Sequence, residues 1–338
     1  MRALVIGGTR FVGYHIVQRL LAEGIEVVVF NRGKTPDDFG DQIQRIHGDR
    51  KDYQKFYETF RRSRFDVVID VIGYQPEDVE VAIKTFKGRV GQYIFISTGQ
   101  VYLVTQNTHW PAREEDYYQP LAPCPPGEEA GYEYGINKRA CEDLLEEAYK
   151  FHKFPAVRFR FPIIHGPRDY TLRLYSYIRR ILDGHPLILP EDGDVPIRHV
   201  YVGDVVKAIM LVLQVEHTRG KVYNVASKET LRLSEFLQLT ARMLERKVPI
   251  YRIPQKIMQE HGIPREISPF SSKWVSLLDP SLIMEELKFV PTPVEEWLRD
   301  TVQYFISDYS GEEPENYRYR PQELALIDYW KRHKKLDD

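Results

Sequence analysis

Val5-Ile6-Gly7-Gly8-Thr9-Arg10-Phe11-Val12-Gly13 follows the apolar run Arg2-Ala3-Leu4-Val5-Ile6 and opens an amphipathic stretch that runs to Glu23 and stops at Gly24. Strand, glycine turn and helix in this order aim backbone N–H groups and the positive end of a helix dipole at one point, which suits a phosphate. Gly7 permits the tight turn, and Gly13 lets helix and strand approach closely. Gly8, Thr9, Arg10, Phe11 and Val12 complete what reads as a dinucleotide-binding loop. The usual spacing calls for a middle glycine at position 10, and Arg10 stands there instead. Its guanidinium is expected to pair with a phosphate of the dinucleotide.

Working outward, short apolar strands alternate with amphipathic helices through the first half. Strands are expected at 25–30, 44–47, 66–71 and 91–97, and helices at 51–60 and 76–86. This alternation predicts an α/β chain, a Rossmann-type doubly wound parallel sheet. Residues 103–131 break the pattern, being rich in Pro, Glu, Tyr and Gln, and read as a long loop over the carboxyl edge of the sheet. A long helix is expected from about Tyr134 to His152, followed by a strand at 156–160. Beyond Gly166 the alternation loosens, with helices expected at 172–182, 203–214, 233–244, 293–305 and 322–334 and a strand at 222–225. The predicted organisation is a dinucleotide-binding domain over 1–165, with 196–225 returning to it. Residues 166–195 and 226–338 form a smaller α/β substrate lobe.

Bulk properties narrow the function classes. Of 338 residues, 43% are hydrophobic and 28% charged, the balance of a folded globular chain. Lys plus Arg number 47 against 49 Asp plus Glu, so no overall positive field points to nucleic acid. Cys124 and Cys141 offer neither a disulfide framework nor metal-ligand spacing, and no metal is expected. No apolar run approaches the about 20 residues needed to span a bilayer. A strand beginning at Met1 leaves no room for a signal peptide, so the cytoplasm is the expected compartment.

The end of the second strand bears on cofactor choice. NAD sites prefer an acidic residue there, to accept bonds from the adenosine ribose. Phe30-Asn31-Arg32-Gly33-Lys34 occupies the position. Asn31 can bond a ribose hydroxyl, while Arg32 and Lys34 suit a 2′-phosphate, so either NAD or NADP fits, with a tilt to NADP. Asp49 is placed to reach the adenine amino group, or else to cap the next helix.

Tyr134-Gly135-Ile136-Asn137-Lys138 puts a phenol and an ammonium on one helix face, a turn apart. A neighbouring cation stabilises phenolate and makes Tyr134 a usable base. Upstream, Ile96-Ser97-Thr98-Gly99-Gln100-Val101-Tyr102 ends a strand at the same sheet edge, and Thr98 suits a substrate hydroxyl beside Tyr134. In the order glycine loop, Ser-Thr, then Tyr-x-x-x-Lys, the chain resembles the extended branch of the short-chain dehydrogenase/reductase superfamily, the NAD-dependent epimerases and dehydratases. Glu142, Arg160, Gly166-Pro167-Arg168 and Val200-Tyr201-Val202-Gly203-Asp204 extend the resemblance to about residue 225. The Gly-Gly-Thr-Arg-Phe loop is similar to that of an atypical subgroup that includes chloroplast RNA-binding proteins.

The resemblance implies Tyr134 as general base and acid, Lys138 on the nicotinamide ribose, and Thr98 orienting the reacting hydroxyl. It implies an epimerase acting on a sugar or nucleotide sugar through a transient keto intermediate. No membrane partner is expected, and the near-neutral charge with intact Thr98, Tyr134 and Lys138 argues against a nucleic-acid partner. A reductase with net cofactor turnover and a non-catalytic or RNA-binding member are the alternatives. Where family dehydratases carry Asp-Glu, this chain has Gly99-Gln100, which disfavours elimination of water. Where epimerases hold a diphosphate-binding Asn, it has Ile163. Gln100, Arg168 and Arg198 are candidate substrate contacts, and Arg173, Arg179 and Arg180 candidate phosphate partners in the second lobe. His165 reads as structural. The family also implies a homodimer through the helices beginning near Pro76 and Tyr134.

Overall fold

The computed structural model describes residues 1–272 and 274–333. These residues divide into two units. Among them the first comprises 1–164, 199–227 and 276–291, and the second 165–198, 228–272, 274–275 and 292–333. Residues 276–291, expected with the C-terminal lobe, cluster instead with the first unit.

The first unit is built on a seven-stranded sheet. Its strands are β1 (Arg2–Ile6), β2 (Glu26–Asn31), β3 (Ile43–His47), β4 (Phe65–Asp70), β5 (Val90–Thr98), β6 (Ala156–Phe161) and β7 (Val222–Asn224), in the spatial order β7-β6-β5-β4-β1-β2-β3. All six pairings are parallel. Both faces are covered, which is why β1, β2 and β4 are nearly continuous apolar runs rather than alternating ones. One face of β1, carrying Ala3 and Val5, packs on α1 (Phe11–Ala22) and α6 (Val202–Leu213). The other, carrying Leu4 and Ile6, packs on α2 (Tyr53–Phe60), α3 (Pro76–Phe86) and α5 (Glu129–His152). The order reverses between β1 and β4, and sheets of this kind bind ligands at the carboxyl ends beside such a reversal. The glycine loop leaves β1 at that point.

Two expectations need correction. The segment after β5 is not all loop: α4 (Gln100–Leu103) and a 3-10 turn (Glu114–Tyr118) interrupt it. The long helix α5 begins at Glu129, which puts Tyr134 in its second turn.

In the second unit, strand pairs are short: Leu187–Pro190 runs parallel to Ile250–Ile253, and Pro196–Ile197 antiparallel to Leu231–Arg232. Ile188, Ile253, Met258, Ile267, Leu326 and Ile327 form a core there. The helix expected at 322–334 spans Arg320–His333, and Lys334 lies outside the described residues. No helix among the described residues is long and apolar enough to cross a membrane.

Candidate functional site

The glycine loop is packed so tightly that side chains are excluded from it. Gly7 has φ +93°, in the left-handed region, and a Cβ there would lie 2.7 Å from Ile72 Cγ2. A Cβ on Gly13 would lie 2.1 Å from the Gly7 carbonyl oxygen, an impossible contact with backbone. Gly8 rests on Val17 and Val29. Arg10 precedes the helix in extended conformation and exposed, while Phe11 and Val12 turn into the core. Phe11 and Val12 therefore present backbone, not side chain, at the loop. No side chain caps the first turn of α1 and none there is acidic, so its N–H groups and positive dipole end suit an anion. A cradle that a Cβ would fill, at a helix N-terminus, fits a dinucleotide pyrophosphate.

At the end of β2 the Asn31 side chain is engaged in its own turn. Its Oδ1 accepts the Gly33 N–H at 2.7 Å and its Nδ2 donates to Thr9 Oγ1 at 3.4 Å. Arg32 and Lys34 are exposed beside it. Asp49 accepts the Lys51 N–H at 2.9 Å, and the cap of α2 is Asp52, accepting from Lys55 N–H at 3.1 Å. The capping alternative for Asp49 is thus replaced by Asp52, three residues on.

Lys138 is 1% exposed and its position is fixed. Its Nζ donates to the carbonyls of Gly73 at 2.8 Å and Ile96 at 2.6 Å, and lies 4.0 Å from the centre of the Phe95 ring. Burial pulls its pKa down from 10.5 to about 8, with Cys141, Asp70 and Glu142 opposing the fall. Tyr134, a turn earlier on α5, is 37% exposed. Gly135 brings this turn close to α4: a Cβ there would sit 2.7 Å from Val104 Cγ1 and 3.0 Å from the Gln100 carbonyl. Thr98 Oγ1 accepts the Gln100 N–H at 3.2 Å. The hydroxyl so caps α4 and keeps its own hydrogen to donate.

Positions 99 and 100 are occupied structurally. A Cβ on Gly99 would lie 2.6 Å from Ser276 Oγ, and Gln100 Nε2 donates to the Gly131 carbonyl at 3.4 Å. Neither Gly99 nor Gln100 carries a group that exchanges a proton.

Beneath Thr98 runs a buried polar chain that sequence reasoning did not assemble. Ser97, Arg160 and Asn224 are neighbours across β5, β6 and β7. Ser97 Oγ donates to Glu142 Oε1 at 2.5 Å, and Arg160 grips the same carboxylate through Nε at 3.0 Å and Nη2 at 2.7 Å. Arg160 Nη1 donates to Tyr102 Oη at 2.7 Å, which donates to Asn224 Oδ1 at 2.8 Å. Glu142 lies four residues beyond Lys138, so one face of α5 carries Tyr134, Lys138 and Glu142 in succession. That spacing was the available signal.

The remaining candidates lie in the second unit. Arg198 Nε donates to Thr230 Oγ1 at 2.8 Å. Arg168 has φ +65° and is exposed. Arg180 is buried against Glu323 at 2.6 Å, which withdraws it from a phosphate, and Arg179 pairs at the surface with Glu313 at 2.8 Å. Arg173 Nε donates to Thr171 Oγ1 at 3.2 Å. His165 is fully buried, stacked on Trp297 with centroids 5.3 Å apart and edge-on to Phe270, in keeping with a structural role.

The profile of the NAD dependent epimerase/dehydratase family matches residues 3–226. The chain belongs to that family. Its fold is the Rossmann-like one of these enzymes, of short-chain dehydrogenase/reductase type. It is 29% identical to the chloroplast stem-loop binding protein of 41 kDa b of Arabidopsis thaliana over 68% of this chain, a match spanning 59% of that protein's length. It is 23% identical to the 2′-dehydrokanamycin reductase of Streptomyces kanamyceticus, over 84% of this chain and 78% of the other. The UDP-glucose 4-epimerase of Thermus thermophilus, solved in complex with NAD, superposes with a TM-score of 0.71 at 24% identity, covering 91% of this chain and all (100%) of that one. Other relatives in the family include nucleotide-sugar epimerases, decarboxylases and a dehydratase.

Proposed function

We propose that the chain is an NAD-dependent epimerase of a sugar or nucleotide sugar, with Tyr134 as the group that takes and returns the substrate proton. The observation that carries this reading is Lys138, a buried ammonium anchored on two carbonyls one helical turn from Tyr134. With a pKa near 8 it is still protonated at neutral pH, and a cation at that distance favours the phenolate of Tyr134. Gly7, Gly8 and Gly13 would cradle the cofactor pyrophosphate, with Arg10 as a phosphate partner and Asp49 toward the adenine. Lys138 would hold the nicotinamide ribose. When bound, the nicotinamide supplies reversible hydride acceptance. Tyr134 Oη takes the proton of the reacting hydroxyl and gives it back, while Thr98 Oγ1 orients that hydroxyl.

Asn31 in place of an acidic residue, with Arg32 and Lys34 exposed beside it, supports acceptance of NADP as well as NAD. Gly99 and Gln100 speak against a dehydratase. A reductase using the same residues is the second reading, favoured by the likeness to 2′-dehydrokanamycin reductase. An epimerase regenerates its cofactor and retains it, whereas a reductase exchanges it each turnover. The test is to denature the purified protein and identify released nucleotide by mass spectrometry, then screen nucleotide sugars for stereochemical change. Retained cofactor and an epimerised product that Tyr134→Phe no longer yields are expected. Full activity in Tyr134→Phe would overturn the assignment of the base.

A further inference from the structure

The turn between β4 and α3, residues 71–75, joins the two halves of the site. Ile72 packs against Gly7 so closely that a Cβ on the glycine would collide with it. One residue on, the Gly73 carbonyl accepts Lys138 Nζ at 2.8 Å. The next, Tyr74, has its ring centre 6.4 Å from that of Tyr134 and 5.8 Å from Lys138 Nζ. The turn is held from below by two fully buried carboxylates. Asp70 accepts the Ile72 N–H at 3.2 Å and pairs with Arg50 at 2.7 Å. Asp78 Oδ2 accepts the N–H groups of Tyr74 and Gln75, both at 2.9 Å. The backbone of the turn is fixed in this way, and Tyr74 is 43% exposed. An exposed aromatic ring beside Tyr134 and Lys138, carried on a fixed turn, offers a flat apolar face at that end of the site.

We propose that Tyr74 is a further cofactor-binding residue, its ring packing against the nicotinamide of a bound dinucleotide and walling it toward Tyr134. The inference rests on the proposed binding of NAD at the glycine loop. NAD and ADP-ribose share the adenosine, the pyrophosphate and the second ribose, and differ in the nicotinamide. A residue that acts on the nicotinamide alone separates the two ligands, and a residue that merely shapes the turn does not.

The experiment is calorimetric titration of the full chain, stripped of nucleotide, with NAD and with ADP-ribose. Tyr74→Ala is expected to weaken NAD about tenfold, the worth of one aromatic stacking contact, and to leave ADP-ribose affinity unchanged, which also shows that the variant is folded. Tyr74→Phe keeps the ring and is expected to bind both ligands as the parent does. Unchanged NAD affinity in Tyr74→Ala, or an equal loss for both ligands, overturns the role given to the ring while leaving the dinucleotide site standing. A parent protein that binds neither ligand overturns the dinucleotide reading itself, and this inference with it.

Discussion

Lys138 Nζ lies 2.8 Å from the carbonyl oxygen of Gly73, a residue 65 positions earlier on a different turn. The contact ties α5 to the turn after β4 and takes the ammonium out of water. Its consequence is a pH signature. Burial lowers the pKa from 10.5 to about 8, so between those values the unfolded chain holds a proton that the folded chain has released. Stability therefore rises with pH across that window, and the cost of the buried charge is present in full below it. Lys138→Met removes the effect. In urea unfolding at a series of pH values, the parent is expected to gain on the variant by on the order of 3 kcal/mol from pH 8 to 10.5. Parallel curves would show that the ammonium titrates as an exposed one.

Glu142 and Arg160 are 0% and 1% exposed and 2.7 Å apart. Burial alone would raise the Glu142 carboxyl, but the charge and hydrogen bonds of Arg160 outweigh it and leave the pKa below 4.5. The stability this pair contributes is present above the unfolded value and is lost as pH falls through the folded one. Glu142→Ala strands a buried guanidinium and is expected to cost about 3–5 kcal/mol. Replacing both, Glu142→Leu with Arg160→Met, is expected to recover most of that loss, because no charge is left unpaired. Chemical denaturation of both variants at neutral pH is the check, and a double variant no better than the single one contradicts it.

The sheet was legible because strands covered on both faces are continuous apolar runs, and 2–6, 26–31, 65–70 and 90–98 show them plainly. The glycine loop and the Tyr134–Lys138 spacing were legible because both are local. What escaped is non-local. Arg179 and Arg180 read as candidate phosphate partners, since nothing near them in the chain announces Glu313 and Glu323. Gly99 could be seen as a departure from an acid–base pair, but the reason for a glycine is Ser276, far along the chain. The start of α5 was placed late because Glu128-Glu129-Ala130-Gly131 carries no apolar period and includes a poor helix former. Strands of two to four residues in the second unit are too short for any period to register.

Gly13 and Gly24 separate the two reasons for a glycine. Gly13→Ala drives a Cβ to 2.1 Å from the Gly7 carbonyl, whereas Gly24, at φ +70°, has no atom within 4 Å of an added Cβ. Gly24→Ala is expected to cost about 1–2 kcal/mol of backbone strain and to leave nucleotide retention intact. Gly13→Ala must separate α1 from the loop, at about 3 kcal/mol, and is expected to abolish retention. Thermal unfolding together with mass spectrometry of bound nucleotide distinguishes them, and retention by Gly13→Ala would mean that the loop does not hold the pyrophosphate.

Glu114 lies in the segment between α4 and α5 and fastens it to the sheet: its Oε1 accepts the Asn224 N–H at 2.7 Å, and its own carbonyl accepts Arg160 Nη1 at 3.1 Å. Burial pushes the carboxyl up from 4.5 to about 7, against the pull of the Asn224 N–H and Arg160. The sign is opposite to that of Glu142. Between 4.5 and 7 the folded chain holds a proton that the unfolded chain has lost, so stability falls as pH rises through this range. Glu114→Gln keeps an oxygen for the Asn224 N–H and carries no charge. It is expected to match the parent near pH 4.5 and to exceed it above neutrality by on the order of 3 kcal/mol. Hydrogen exchange at Asn224 gives a local reading of the same equilibrium, speeding with pH in the parent beyond the intrinsic rate and not in Glu114→Gln. Equal pH slopes in the two proteins would mean that Glu114 is ionised in the folded chain across the whole range.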